Sequence, residues 1–213
     1  MLASTLLATL AFAPRVGVSS ADALRFERGR LPADVGRSFE SRVDPRVALV
    51  VSLFSHSRVE VRCWSPEDWQ RRTSALTRRT GLERLGAWRA FTTSDRRAIE
   101  LSPQVCTGLT MLADEHYAIG SGAWADALAW SLAALAHEAQ HASGVWNEAR
   151  ADCYGMQSIP IAARVLGRTA AEGRYLATVY WKHWHVWHGP RYHSRECRNG
   201  GRLDLYPGSH VWP

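Results

Sequence analysis

At 213 residues, with 46% hydrophobic and 22% charged side chains, the chain has the balance of one globular domain with a core of its own. The net charge of +6 comes almost wholly from arginine, Lys182 being the single lysine. The arginines are scattered, as isolated residues and RR pairs, and no base-reading motif accompanies them, so no nucleic-acid partner is expected.

The chain begins MLASTLLATLAFAPRVGVSSADALRFE, an apolar run from Leu2 to Ala13 followed by small residues. That is the pattern of a secretory signal peptide, assigned to residues 1–24, although no basic residue precedes the run. Residues 25–213 are then one domain, with a polar, irregular lead-in over 25–43. Asp44-Pro45 supplies an N-cap and a proline at the first helical position, and Val47, Val50, Val51 and Phe54 follow at helical spacing. RVEVRC, 58–63, alternates as a strand does. SPED, 65–68, is a capping-box variant before a helix to about Arg78. RAIELS, 97–102, reads as a second strand, and SPQVC opens a helix through Leu112.

Ala123–Ala142 has no proline or glycine, and Trp124, Leu128, Leu132 and Leu135 recur on one face. Gly144 is its stop. The segment also carries Asp126, His137, Glu138 and His141, so it does not read as a membrane span, and neither does any other stretch. Asn147 caps a helix bearing Glu148 and Asp152. Pro160 is expected to begin another. TAAE, 169–172, is a capping box before a helix to about Trp187, and the Gly/Pro-rich tail is expected to be irregular. The sum is an α+β domain, mostly helical, with a small sheet.

The four cysteines, Cys63, Cys106, Cys153 and Cys197, form no CxxC pair and are widely spaced. An even number so placed suits two disulfides in an oxidising compartment. Several connectivities are open. Cys63 and Cys106 lie at or just after predicted strands, which favours pairing them and leaves Cys153 with Cys197.

The chemistry concentrates in LAHEAQHASGVWNEARADCYG, 135–155. His137 and His141 are four apart on one helix face, so both imidazoles can reach one tetrahedral metal. Glu138 follows the first histidine, where it can address a water without ligating the metal. Glu148 and Asp152 are again one turn apart on the next helix. A capping role for these four at facing helix ends is the plain alternative. HWHVWHGPRYH, 183–193, is a second histidine-rich stretch. His185 and His188 could share a metal, but the preferred reading is a helix end whose imidazoles complement the dipole.

HEAQH followed by NEARAD resembles the zincin metallopeptidases of the gluzincin type, in which HExxH is followed by ExxxD on a second helix. The resemblance covers about 20 of the 213 residues. It implies a minimal zincin-like domain, with the small sheet packed on the HExxH helix. It also implies Zn2+ held by His137, His141 and Glu148, with Asp152 accepting from His137 behind the metal. Two departures stand out. The gap from His141 to Glu148 is short. Asn147 stands where the related metzincin motif has His or Asp. Asp152 is the fallback third ligand. The implied activity is an exported zinc-dependent metallopeptidase that hydrolyses peptide bonds by a metal-activated water with Glu138 as general base. The place would be secreted or cell-envelope, and the partner a peptide or protein substrate. Tyr154, His183, His185, His188 and His193 are the candidates for the oxyanion donor. The alternative is a non-catalytic metal-binding or interaction protein of the envelope.

Overall fold

The computed structural model describes residues 44–80, 89–114, 116–209 and 211–212. The expected signal peptide, 1–24, and lead-in, 25–43, lie outside these residues. Helix α1, Pro45–Ser55, starts where Asp44 accepts from the Arg46 N–H at 2.8 Å. Strand β1, Glu60–Cys63, is followed by α2, Pro66–Thr80, whose Asp68 N–H donates to Ser65 Oγ. Strands β2, Ala90–Thr92, and β3, Ala98–Leu101, lead into α3, Pro103–Ala113, capped by Ser102. Then come α4, Ala123–Ala142, α5, Glu148–Val165, and α6, Ala170–His183, followed by a 3-10 turn, His185–Trp187. The domain is α+β and mostly helical.

The sheet has the order β1-β3-β2, with β1 parallel and β2 antiparallel to β3. β3 is central and buried along its length. Its Glu100 carboxylate, fully enclosed, takes two bonds of 2.7 Å from the Arg72 guanidinium, which is how a buried charge is tolerated here.

Helix α4 is the axis of the molecule. It packs against α1, α3, α5, α6 and the β2–β3 side of the sheet. Leu128, Leu132 and Leu135, the expected apolar stripe, are completely buried, and alanines fill the closer approaches. It ends at Ala142, just before Gly144 at φ +102, where the Gly144 N–H bonds His141 O and the Val145 N–H bonds Gln140 O. That stop leaves a short turn before Asn147 caps α5 by accepting from the Arg150 N–H at 2.9 Å.

Two element boundaries differ from the sequence reading. Pro160 does not begin a helix but lies inside α5. It forfeits one backbone bond, yet Ile159, Ala162 and Ala163 beside it are buried, and that packing carries the helix through. Helix α6 ends at His183, not near Trp187, and the chain tightens into the 3-10 turn that carries His185 inward. β2 was not foreseen as a strand. Two disulfides form, Cys63–Cys106 joining β1 to α3 and Cys153–Cys197 joining α5 to the tail, the pairing the sequence favoured. Among the described residues no helix is long and apolar enough to cross a membrane.

Candidate metal centre

α4 and α5 meet as an antiparallel pair joined by the short turn, and their facing turns carry His137, His141 and Glu148. Gly155 sets how close they come. A Cβ there would lie 2.9 Å from His137 N and 3.0 Å from its Cα. Only glycine lets α5 pass directly over the backbone of the first histidine.

Glu148 Oε2 stands 3.2 Å from His137 Nε2 and 3.3 Å from His141 Nε2. Tetrahedral ligands at zinc–nitrogen and zinc–oxygen distances are separated by about 3.3 Å, so the donor spacing fits a shared ion. The hydrogen bonds of His141 limit what can lie between it and Glu148. His141 Nδ1 lies 2.7 Å from the carbonyl of Val145, which can only accept. The proton is therefore on Nδ1, and a neutral His141 turns the lone pair of Nε2 toward a carboxylate oxygen. Two acceptors face each other there unless a cation lies between them or the ring is charged. Without an ion the same geometry acts electrostatically. Burial opposes ionisation of Glu148, but hydrogen bonds from His137 and His141 outweigh it and hold its carboxyl well below the usual range. Burial pulls His141 down, and the Glu148 bond and the nearby Glu138 charge more than reverse that.

Glu138 is buried, and its carboxylate lies with the two imidazoles in one cluster of potential ligand atoms within 4.8 Å. Its Oε2 accepts from the Thr92 hydroxyl at 2.8 Å. Thr92 comes from β2, so the sheet edge positions this carboxylate. The outer oxygen of Glu148, Oε1, takes a bond of 2.9 Å from Arg191 in the tail. Trp146, largely exposed, stacks on His141 with ring centroids 5.7 Å apart.

Asp152 lies one turn along α5, buried, with Oδ1 3.8 Å from His137 Nδ1. It faces the rear of His137 and so belongs behind the centre, not among the atoms facing Glu148. Tyr180 donates to Oδ1 at 2.7 Å, and His185 Nδ1 bonds Oδ2. Burial opposes ionisation of Asp152, but the bond from His185 and the close approach of the His188 ring hold its carboxyl well below the usual range. Burial pushes the Tyr180 hydroxyl well up, and the Asp152 charge adds to this.

The histidine-rich stretch therefore does not simply complement a helix dipole. His185 is fully buried on Asp152, and His188 Nδ1 is 3.5 Å from the same oxygen. The His193 ring is tilted against that of His185, centroids 5.3 Å apart, whereas His183 pairs with Asp126. Tyr154 is partly buried on α5, two residues beyond Asp152. Tyr192, Thr92 and Arg191 escaped the sequence reading. The Tyr192 ring lies 6.1 Å from that of His137, and burial together with the Glu148 charge raises its hydroxyl pKa. Comparison with family models, with curated proteins and with solved structures finds no match.

Proposed function

We propose that this chain is an exported zinc-dependent metallopeptidase of minimal zincin type. The carrying observation is the convergence of His137 Nε2, His141 Nε2 and Glu148 Oε2 at tetrahedral-edge spacing, with the buried Glu138 carboxylate beside them. His137, His141 and Glu148 would hold a zinc ion, which would supply an acidified water and a Lewis acid for the scissile carbonyl. Glu138, aimed by Thr92, takes the proton of the attacking water and hands it to the leaving nitrogen. Arg191 holds the outer oxygen of Glu148, which leaves Oε2 to the centre. Tyr192, whose ring lies 6.1 Å from that of His137, is assigned in this reading as the donor to the developing oxyanion, in preference to the five residues considered from sequence. β2 ends the sheet among the described residues, and Thr92 on it touches Glu138. An extended peptide added along that edge would run past the base. The two disulfides support an oxidising, extracytoplasmic location.

The test is a pair of variants. Glu138→Gln keeps shape and removes the base, so it retains the zinc of this centre while peptide hydrolysis falls by roughly a hundredfold or more. Glu148→Ala removes a ligand, so zinc and activity are lost together. Zinc-loaded wild type that cleaves nothing in a peptide library would move the reading to a non-catalytic metal-binding protein.

A further inference from the structure

The buried cluster behind His137 contains more ligand atoms than its hydrogen bonds use. Asp152, His185 and His188 each offer one ligand atom, and these three atoms lie within 4.8 Å of one another. Asp152 and His185 are buried, and His188 retains 25% of its side-chain exposure. The cluster is therefore closed on the core side, and the His188 ring reaches from it to the surface. Hydrogen bonding alone does not satisfy it. His188 Nδ1 is a buried atom with no hydrogen-bond partner among the described residues, although it sits 3.5 Å from Asp152 Oδ2. Tyr180 occupies Oδ1, so Oδ2 is the oxygen that both histidines face. Two imidazole nitrogens directed at one carboxylate oxygen, one of them without a hydrogen bond, are a donor set suited to a cation.

We propose that Asp152, His185 and His188 form a second metal site, selective for a borderline divalent transition ion such as Zn2+. The donor set decides the class. Two nitrogens and one carboxylate suit zinc and its neighbours, whereas calcium and magnesium require oxygen-rich shells. Binding displaces the proton shared by His185 and Asp152 and gives His188 its missing partner. The site is distinct from the first centre, because its donors face the other side of Asp152 from His137. The two are linked through that residue, whose Oδ1 is 3.8 Å from His137 Nδ1. The site also ties the 3-10 turn to α5. The proposal does not depend on the chain being a peptidase.

The experiment is equilibrium dialysis of untagged, full-length protein against buffered free Zn2+, with metal analysis by mass spectrometry. Wild type should saturate at two equivalents. His188→Ala should saturate at one, and Glu148→Ala also at one, by loss of the other ion. Combining the substitutions should leave none. Calcium or magnesium in excess should not reduce either equivalent. Wild type saturating at one equivalent that His188→Ala keeps and Glu148→Ala loses overturns the proposal and makes the cluster a hydrogen-bonded support for His137, whereas one equivalent that His188→Ala loses and Glu148→Ala keeps upholds this site and removes the first centre instead. A second equivalent that survives His188→Ala overturns it as well. Near-UV circular dichroism of His188→Ala checks that its loss of metal occurs in folded protein, and His188→Gln repeats the measurement if it does not.

Discussion

Thr92 stands 46 residues before Glu138 and donates to its carboxylate at 2.8 Å. No spacing rule connects the two positions, because their contact is made by a sheet edge lying against α4. His137, Glu138, His141, Glu148 and Asp152 are a different case. His137 and His141 on one helix, and Glu148 and Asp152 on the next, are each four residues apart, which fixes a shared face before any tertiary structure is known, and Glu138 adjoins the first histidine. Residues brought in from β2 or from the tail, such as Thr92, Arg191 and Tyr192, carry no such local signature. The role given to Thr92 can be measured. Thr92→Val preserves shape and deletes the donor that aims Oε2. With about 1 kcal/mol for a net hydrogen bond, kcat should fall about fivefold, while KM and zinc content stay as they are. Thr92→Ser should restore the rate. An unchanged kcat in the valine variant would remove Thr92 from the account of the base.

At the scale of elements, caps were legible and compensations were not. Asp44, Ser65, Ser102, Asn147 and Thr169 all accept the N–H bonds expected of them, since a cap needs only its own first turn. Three-residue β2 has too few positions to show an alternation and is defined by its pairing with β3. Pro160 reads as a start because a proline costs a helix one bond, and what offsets that cost is tertiary. Part of it is Gly173 of α6, where a Cβ would meet Pro160 Cα and O at 3.0 Å. Gly155 does the same for α4 and α5 at the candidate metal centre. Gly155→Ala should push α5 away from His137, weakening zinc binding at the first centre about tenfold or more, as mutations behind ligands do. It should also cost roughly 1–3 kcal/mol of stability. Gly108→Ala is the matched control, since its Cβ would meet the Ser131 side chain at 2.2 Å, away from the ligands. It should lower stability and leave zinc affinity alone. Equal loss of zinc in both variants would show that Gly155 matters only to the fold.

At the scale of the whole molecule, the tail after α6 was legible as irregular chain but not as part of the site. Nothing local in its glycines and prolines says where it lies. Its position is set by Cys153–Cys197 and by Gln157, which bonds Leu203 O and the Leu205 N–H. These anchors on α5 bring Arg191 to Glu148 and Tyr192 over His137. The two disulfides therefore have separable consequences. Their sequence separations, 43 and 44, are nearly equal. On chain entropy each stabilises the fold by about 4 kcal/mol. Replacing either pair with alanine should thus lower the melting temperature by a similar amount. Only the Cys153→Ala/Cys197→Ala protein should lose function at a temperature where both variants remain folded. Its kcat/KM should fall by about tenfold or more, because Arg191 and Tyr192 are no longer held, while the first centre keeps its zinc on α4 and α5. Cys63→Ala/Cys106→Ala should keep kcat/KM, since β1 and α3 contribute no residue to the centre. If the second variant loses activity and the first does not, the tail is not the arm that completes the site.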